Sequence, residues 1–175
     1  TSLNLEKLPG GDRPLMPSGA KWEEPKGKGV KYVYGIFTNV RGAEADRDFT
    51  LTYQVKNPWK KDALYQASGN PAVGTRHHFI GSPNLQALLT DIPRRADGKA
   101  PLMELEQMPH FILRSKNEGE ETQYIAVHEP FMGSPTILEV KRLDSDKGTV
   151  ALEVRMADRT DRIVLSFEDG TFFQG

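Results

Sequence analysis

The chain has 175 residues, enough for one domain with a substantial apolar core. Its 23 lysines and arginines against 24 aspartates and glutamates leave a formal net charge of −1, which argues against nucleic acid as a main partner, because phosphate binding needs a cationic excess. The absence of cysteine excludes disulfides, thiolate catalysis and cysteine-ligated zinc, and no apolar run is long enough to cross a membrane as a helix.

Residues 1–29 carry neither strand nor helix periodicity. Gly10-Gly11, Pro14, Pro17, Gly19, Pro25, Gly27 and Gly29 interrupt every candidate element, so the segment reads as an irregular arm. Leu5, Leu8, Leu15 and Trp22 are its candidate anchors on the body. A start at Thr1 suits a processed mature protein or a piece of a longer one.

From residue 30 to 175 a single β-sandwich domain is expected. Tyr32, Tyr34, Ile36 and Thr38 alternate with Val33, Gly35, Phe37 and Asn39, a run rich in aromatic and β-branched residues. In the next strand Phe49, Leu51, Tyr53 and Val55 share one face and Thr50, Thr52 and Gln54 the other, and Asn57-Pro58 ends it. Strands are expected over 63–67, 75–80, 85–91, 110–114 and 123–128. Residues 82–89 are the best helix candidate, but their leucines fit a strand as well.

The C-terminal third is the most regular. Thr136, Leu138 and Val140 alternate with Ile137, Glu139 and Lys141; Val150, Leu152 and Val154 with Ala151, Glu153 and Arg155; Arg162, Val164 and Ser166 with Ile163, Leu165 and Phe167. Between them stand Asp144-Ser145-Asp146-Lys147-Gly148 and Ala157-Asp158-Arg159, residues suited to tight turns. About ten strands without alternating helices indicate an all-β fold, an antiparallel β-sandwich in preference to a barrel.

Chemistry-bearing residues are sparse. His77 and His78 are neighbours in a strand and point to opposite faces, so they do not share a metal, and no set of histidines has zinc spacing. No metal or cofactor is therefore expected. His128-Glu129 before Pro130 offers a general-base pair or a contact for a sugar hydroxyl; alternatively Pro130 ends the strand and both side chains face water. Arg94-Arg95 supplies guanidinium forks for a carboxylate or sulfate. Trp59, Tyr65 and Trp22 are candidate aromatic platforms for a sugar ring. There is no Gly-x-Ser-x-Gly elbow, phosphate loop or His-Glu-x-x-His, and Tyr32 stands where a dinucleotide fingerprint opened by Gly27-Lys28-Gly29 needs its third glycine.

Two stretches resemble a known family. Residues 75–83, Thr-Arg-His-His-Phe-Ile-Gly-Ser-Pro, followed by Leu88-Leu89-Thr90-Asp91-Ile92-Pro93, and residues 123–131, Gln-Tyr-Ile-Ala-Val-His-Glu-Pro-Phe, are similar to segments in the C-terminal β-rich region of heparinase II/III-like polysaccharide lyases. The likeness continues through residues 133–143, 150–155 and 161–166 and covers about two-thirds of the chain. Such lyases join an α-helical toroid to layered antiparallel sheets and cleave beside a uronic acid by β-elimination, with a tyrosine and a histidine as acid and base. This chain has neither the toroid nor the histidine–alanine–aspartate segment that opens the family's β region, so no catalytic residue carries over.

The resemblance implies a non-catalytic module of a bacterial periplasmic or extracellular protein, supporting a lyase domain on the same parent chain or contacting acidic polysaccharide. The contact residues expected are Trp59, Tyr65, Arg94, Arg95, His128 and Glu129. Two alternatives remain open: a small stand-alone lyase or other carbohydrate-active enzyme using His78 or His128, and a protein–protein assembly domain.

Overall fold

The computed structural model describes residues 3–9, 11, 14–16, 21, 36–55, 66–67, 69, 71–93, 107–116, 122–146 and 148–166. Among these residues are ten strands: β1 (Glu6–Lys7), β2 (Thr38–Glu44), β3 (Phe49–Val55), β4 (Val73–Phe79), β5 (Leu85–Pro93), β6 (Gln107–Ser115), β7 (Ala126–Met132), β8 (Ile137–Leu143), β9 (Thr149–Met156) and β10 (Thr160–Ser166). All pairings are antiparallel and form three sheets, of order β1-β2-β5-β6, β3-β4-β7 and β10-β9-β8. The fold is all-β and sandwich-like, as the alternation indicates. The chain divides into two compact units. One is built on Arg47–Gly81 and Gln123–Gly175, the other on Ser2–Asp46 and Ser82–Thr122.

The second unit holds the four-stranded sheet. Leu88, buried on β5, packs with Phe37 and Val40, and Leu8, Leu15, Ile36, Ile92 and Ile112 close over them. Leu8 and Leu15 thus dock as the arm's expected anchors, and Glu6–Lys7 add a short strand beside β2 that no periodicity announced. β2 begins at Thr38, near the end of the stretch where alternation placed a strand, and runs on through Gly42. A bulge between Thr38 and Arg41 separates the two stretches of its pairing with β5. Asn39 takes φ 50° there, a conformation asparagine tolerates, and its side chain donates to Asp91 at 2.9 Å. Residues 82–89 hold no helix; Leu85 and Leu88 are buried on β5, covered on both faces of a central strand.

The first unit is a small sandwich of the two three-stranded sheets. Val150, Leu152 and Val154 project from β9 with Val140 of β8 and Ile80, which follows β4, and all five are buried. Ile125, Val127, Ile137, Met156 and Ile163 pack around them. Burial of such side chains stabilises by about 1.5–3 kcal/mol each. The opposite face of β9 is lined with ion pairs, Arg155 with Glu139 at 3.1 Å and Arg162 with Glu153 at 3.3 Å.

Four details depart from the expected pattern. Leu138 is an extra residue between Ile137, paired with Met156, and Glu139, paired with Arg155; the bulge breaks strict alternation. Ile137 and Val140 therefore both reach the core while Leu138 is 57% exposed. Val55, at the end of an edge strand, is 53% exposed, although Phe49 at the other end is buried. Gln66-Ala67 are helical rather than extended, and the rest of 63–67 lies outside the described residues. Finally, Pro130 does not end its strand. Among the described residues β7 lies at the edge of its sheet, where a residue without an N–H is tolerated, and it runs on to Met132.

Candidate functional site: the histidine pairs of β4 and β7

The register of β4 against β7 sets His77 opposite His128, His78 opposite Val127 and Arg76 opposite Glu129. Side chains alternate along a strand, so each His-containing dipeptide is divided between the two faces of the sheet. His78 and Glu129 share the face that carries Val127 into the core; His77 and His128 share the outer face.

On the inner face His78 and Glu129 are both buried, and His78 Nε2 lies 3.2 Å from Glu129 Oε2. An ionised carboxylate has no proton to give, so Nε2 carries the hydrogen and donates. The other carboxylate oxygen accepts from the Thr136 N–H, from the Thr136 hydroxyl at 3.1 Å and from the Ile137 N–H at 2.8 Å. These donors stand where β8 begins, so one carboxylate ties the start of β8 to β7 and β4. Burial by itself would raise the Glu129 carboxyl, but the hydrogen bonds from Ile137, His78 and Thr136 together outweigh it and hold the group below the usual carboxylate range. Its acceptor capacity is used in holding the fold, which leaves little for general-base work.

On the outer face the Nδ1 atom of His77 lies against Nδ1 of His128. Tyr53 stands edge-on to His77 at 5.6 Å, and Phe79 stacks beside it at 6.2 Å with Phe49 beyond, 4.9 Å from Phe79. Burial lowers the His77 pKa, with His128 and then His78 pushing the same way, and burial raises that of Tyr53. Neither His77 nor Tyr53 is thereby prepared to carry charge at neutral pH. His128 is exposed, His77 half-buried.

A cleft of about 290 Å³ opens beside the inner pair, lined by Asp48, Thr50, His78, Leu138, Glu139 and Lys141 among others. Its charges are committed internally. Lys141 pairs with Glu139 at 3.2 Å, Arg155 pairs with the same carboxylate, and Asp48 accepts the Gly81 N–H at 2.8 Å.

Of the residues singled out in the sequence, His128 is at the surface and Glu129 faces inward, so the two cannot meet one ligand from one side. Trp22, Trp59, Tyr65, Arg94 and Arg95 lie outside the described residues. What sequence reading missed is that His77 belongs with His128 and His78 with Glu129, 51 residues away in each case. The two His-containing dipeptides, each in an apolar β-run, were the available signal; the register between them was not readable. Among the described residues, no three histidine, aspartate or glutamate side chains gather as a metal site. Comparisons with protein-family models, curated proteins and solved structures found nothing that matches the chain.

Proposed function

We propose that this chain is a non-catalytic β-module of a bacterial, exported polysaccharide-lyase-like protein, supporting a catalytic domain of the parent chain and contacting acidic polysaccharide from its surface. One observation carries the reading. Glu129, the only acid in the segment that most resembles the lyases, is buried and spends its carboxylate on Thr136, Ile137 and His78. A histidine–glutamate pair used in this way fastens two sheets together and leaves no free base beside a substrate. The sequence resemblance supplies the polymer class. The outer face of β3-β4-β7, with Tyr53, Phe79 and His128, supplies an apolar and hydrogen-bonding surface of the kind that suits a pyranose ring.

The test is a pair of measurements on the pure chain. Incubation with a panel of uronate-containing polysaccharides should give no new absorbance from unsaturated product, and such absorbance would overturn the non-catalytic reading. Titration with acidic oligosaccharides should perturb the resonances of His128, with His128→Ala weakening the response. Absence of any response at millimolar sugar removes the glycan contact and leaves the supporting role.

A further inference from the structure

We propose that His77 and His128 together form a binding site for a divalent transition-metal cation, Cu²⁺ foremost. The inference is independent of glycan contact and rests on the outer face of β4 and β7. The two histidines are direct cross-strand partners, a placement that sets their Cβ atoms about 4.5–5.5 Å apart. Their Nδ1 atoms face one another, and among the described residues nothing else hydrogen-bonds either ring. When both rings carry their hydrogen on Nε2, two lone pairs converge on one point. Metal–imidazole bonds are about 2.0 Å long, so two adjacent corners of a tetragonal site need nitrogens about 2.8 Å apart, which a small outward rotation of the exposed His128 ring provides.

The surroundings favour a metal over a second proton. In register around the pair on this face are Leu51, Tyr53, Thr75, Phe79, Ala126 and Pro130, and none of these described neighbours is a carboxylate to offset an imidazolium. Two imidazoles with the remaining positions open to water match the tetragonal nitrogen and oxygen sites that Cu²⁺ prefers, and Cu²⁺ heads the affinity order of the divalent series. Zn²⁺ ordinarily takes three or four protein ligands and binds here more weakly. Such a cation sits at the surface and is no part of the core.

The whole chain, stripped with a chelator and titrated with Cu²⁺ at pH 7.5 in a non-coordinating buffer, should take up one equivalent whose paramagnetic resonance spectrum shows splitting from two nitrogens. His77→Ala and His128→Gln should each weaken uptake at least about tenfold, while His110→Ala should not. Because His128 is exposed, His128→Gln keeps the fold, which far-ultraviolet circular dichroism checks. Splitting from fewer than two nitrogens, or uptake that survives in both variants, means an adventitious ion held elsewhere and overturns the proposal.

Discussion

Gly74 of β4 faces Phe131 of β7 so closely that a Cβ on the glycine would stand 2.7 Å from the Phe131 ring and 2.2 Å from the Tyr53 carbonyl oxygen. The ring lies over bare backbone, covering a position where the strand offers no side chain. Gly74→Ala should therefore cost more than the roughly 1–3 kcal/mol usual for overpacking, because a paired strand's carbonyl cannot move aside. Gly42→Ala is the comparison: its new methyl would meet Leu8 and Leu88 side-chain carbons at 3.1 Å, and leucine side chains can rotate. Urea melts of the two variants should rank Gly74→Ala as the more damaging. The reverse order would mean that β3 and β4 separate more easily than their register suggests.

The carboxylate of Glu129 gives stability a defined pH dependence. Its folded pKa lies below the ordinary value of 4.5, so on acidification the unfolded chain takes up this proton first. The contribution is complete above about pH 4.5 and is lost as pH falls from there through the depressed folded value. At pH 7, Glu129→Ala should cost at least about 2 kcal/mol, because it leaves the buried donors of His78, Thr136 and Ile137 without their acceptor. At pH 3 the gap from the parent chain should narrow clearly. Equal gaps at both pH values would show that Glu129 acts through packing alone.

Local pattern and long-range register were unequally legible in the sequence. Alternation at Val150, Leu152 and Val154 sufficed to find the core face of β9, since one period-two stripe of β-branched and aliphatic residues admits one burial pattern. Leu138 escaped because a bulge depends on how two strands pair and not on the residues of one. The pairing of the histidines escaped for a similar reason. His77 and His128 meet only through a register set by long connections, and Pro130 looked like a strand end because its edge position was unknown.

The bulge itself can be tested by two neighbouring substitutions. Strict alternation would make Leu138 and Val140 equivalent, whereas Leu138 is 57% exposed and Val140 is 7% exposed. Leu138→Ala should stay within about 0.5 kcal/mol of the parent, as surface changes usually do. Val140→Ala should cost more than about 1 kcal/mol, because it removes methyls from the buried cluster. Equal losses in guanidinium melts would place both residues on the same face and remove the bulge.

Leu152 is a core position in the sandwich of β3-β4-β7 and β8-β9-β10. It is 4% exposed, lies on the central strand of its sheet and sits opposite Ile163 in the ladder with β10. Val150 and Val154, two residues to either side, line the same face. A cavity left there has little freedom to collapse, since both flanking strands hold the backbone of β9 in place. Leu152→Ala should cost on the order of 2–5 kcal/mol, toward the upper part of that range. Val55→Ala, at an exposed strand end, should change stability by less than about 0.5 kcal/mol. Differential scanning calorimetry of the two variants beside the parent measures both. A Leu152→Ala loss as small as that of Val55→Ala would mean that the two sheets do not close on β9, and that the apolar stripe along it faces water.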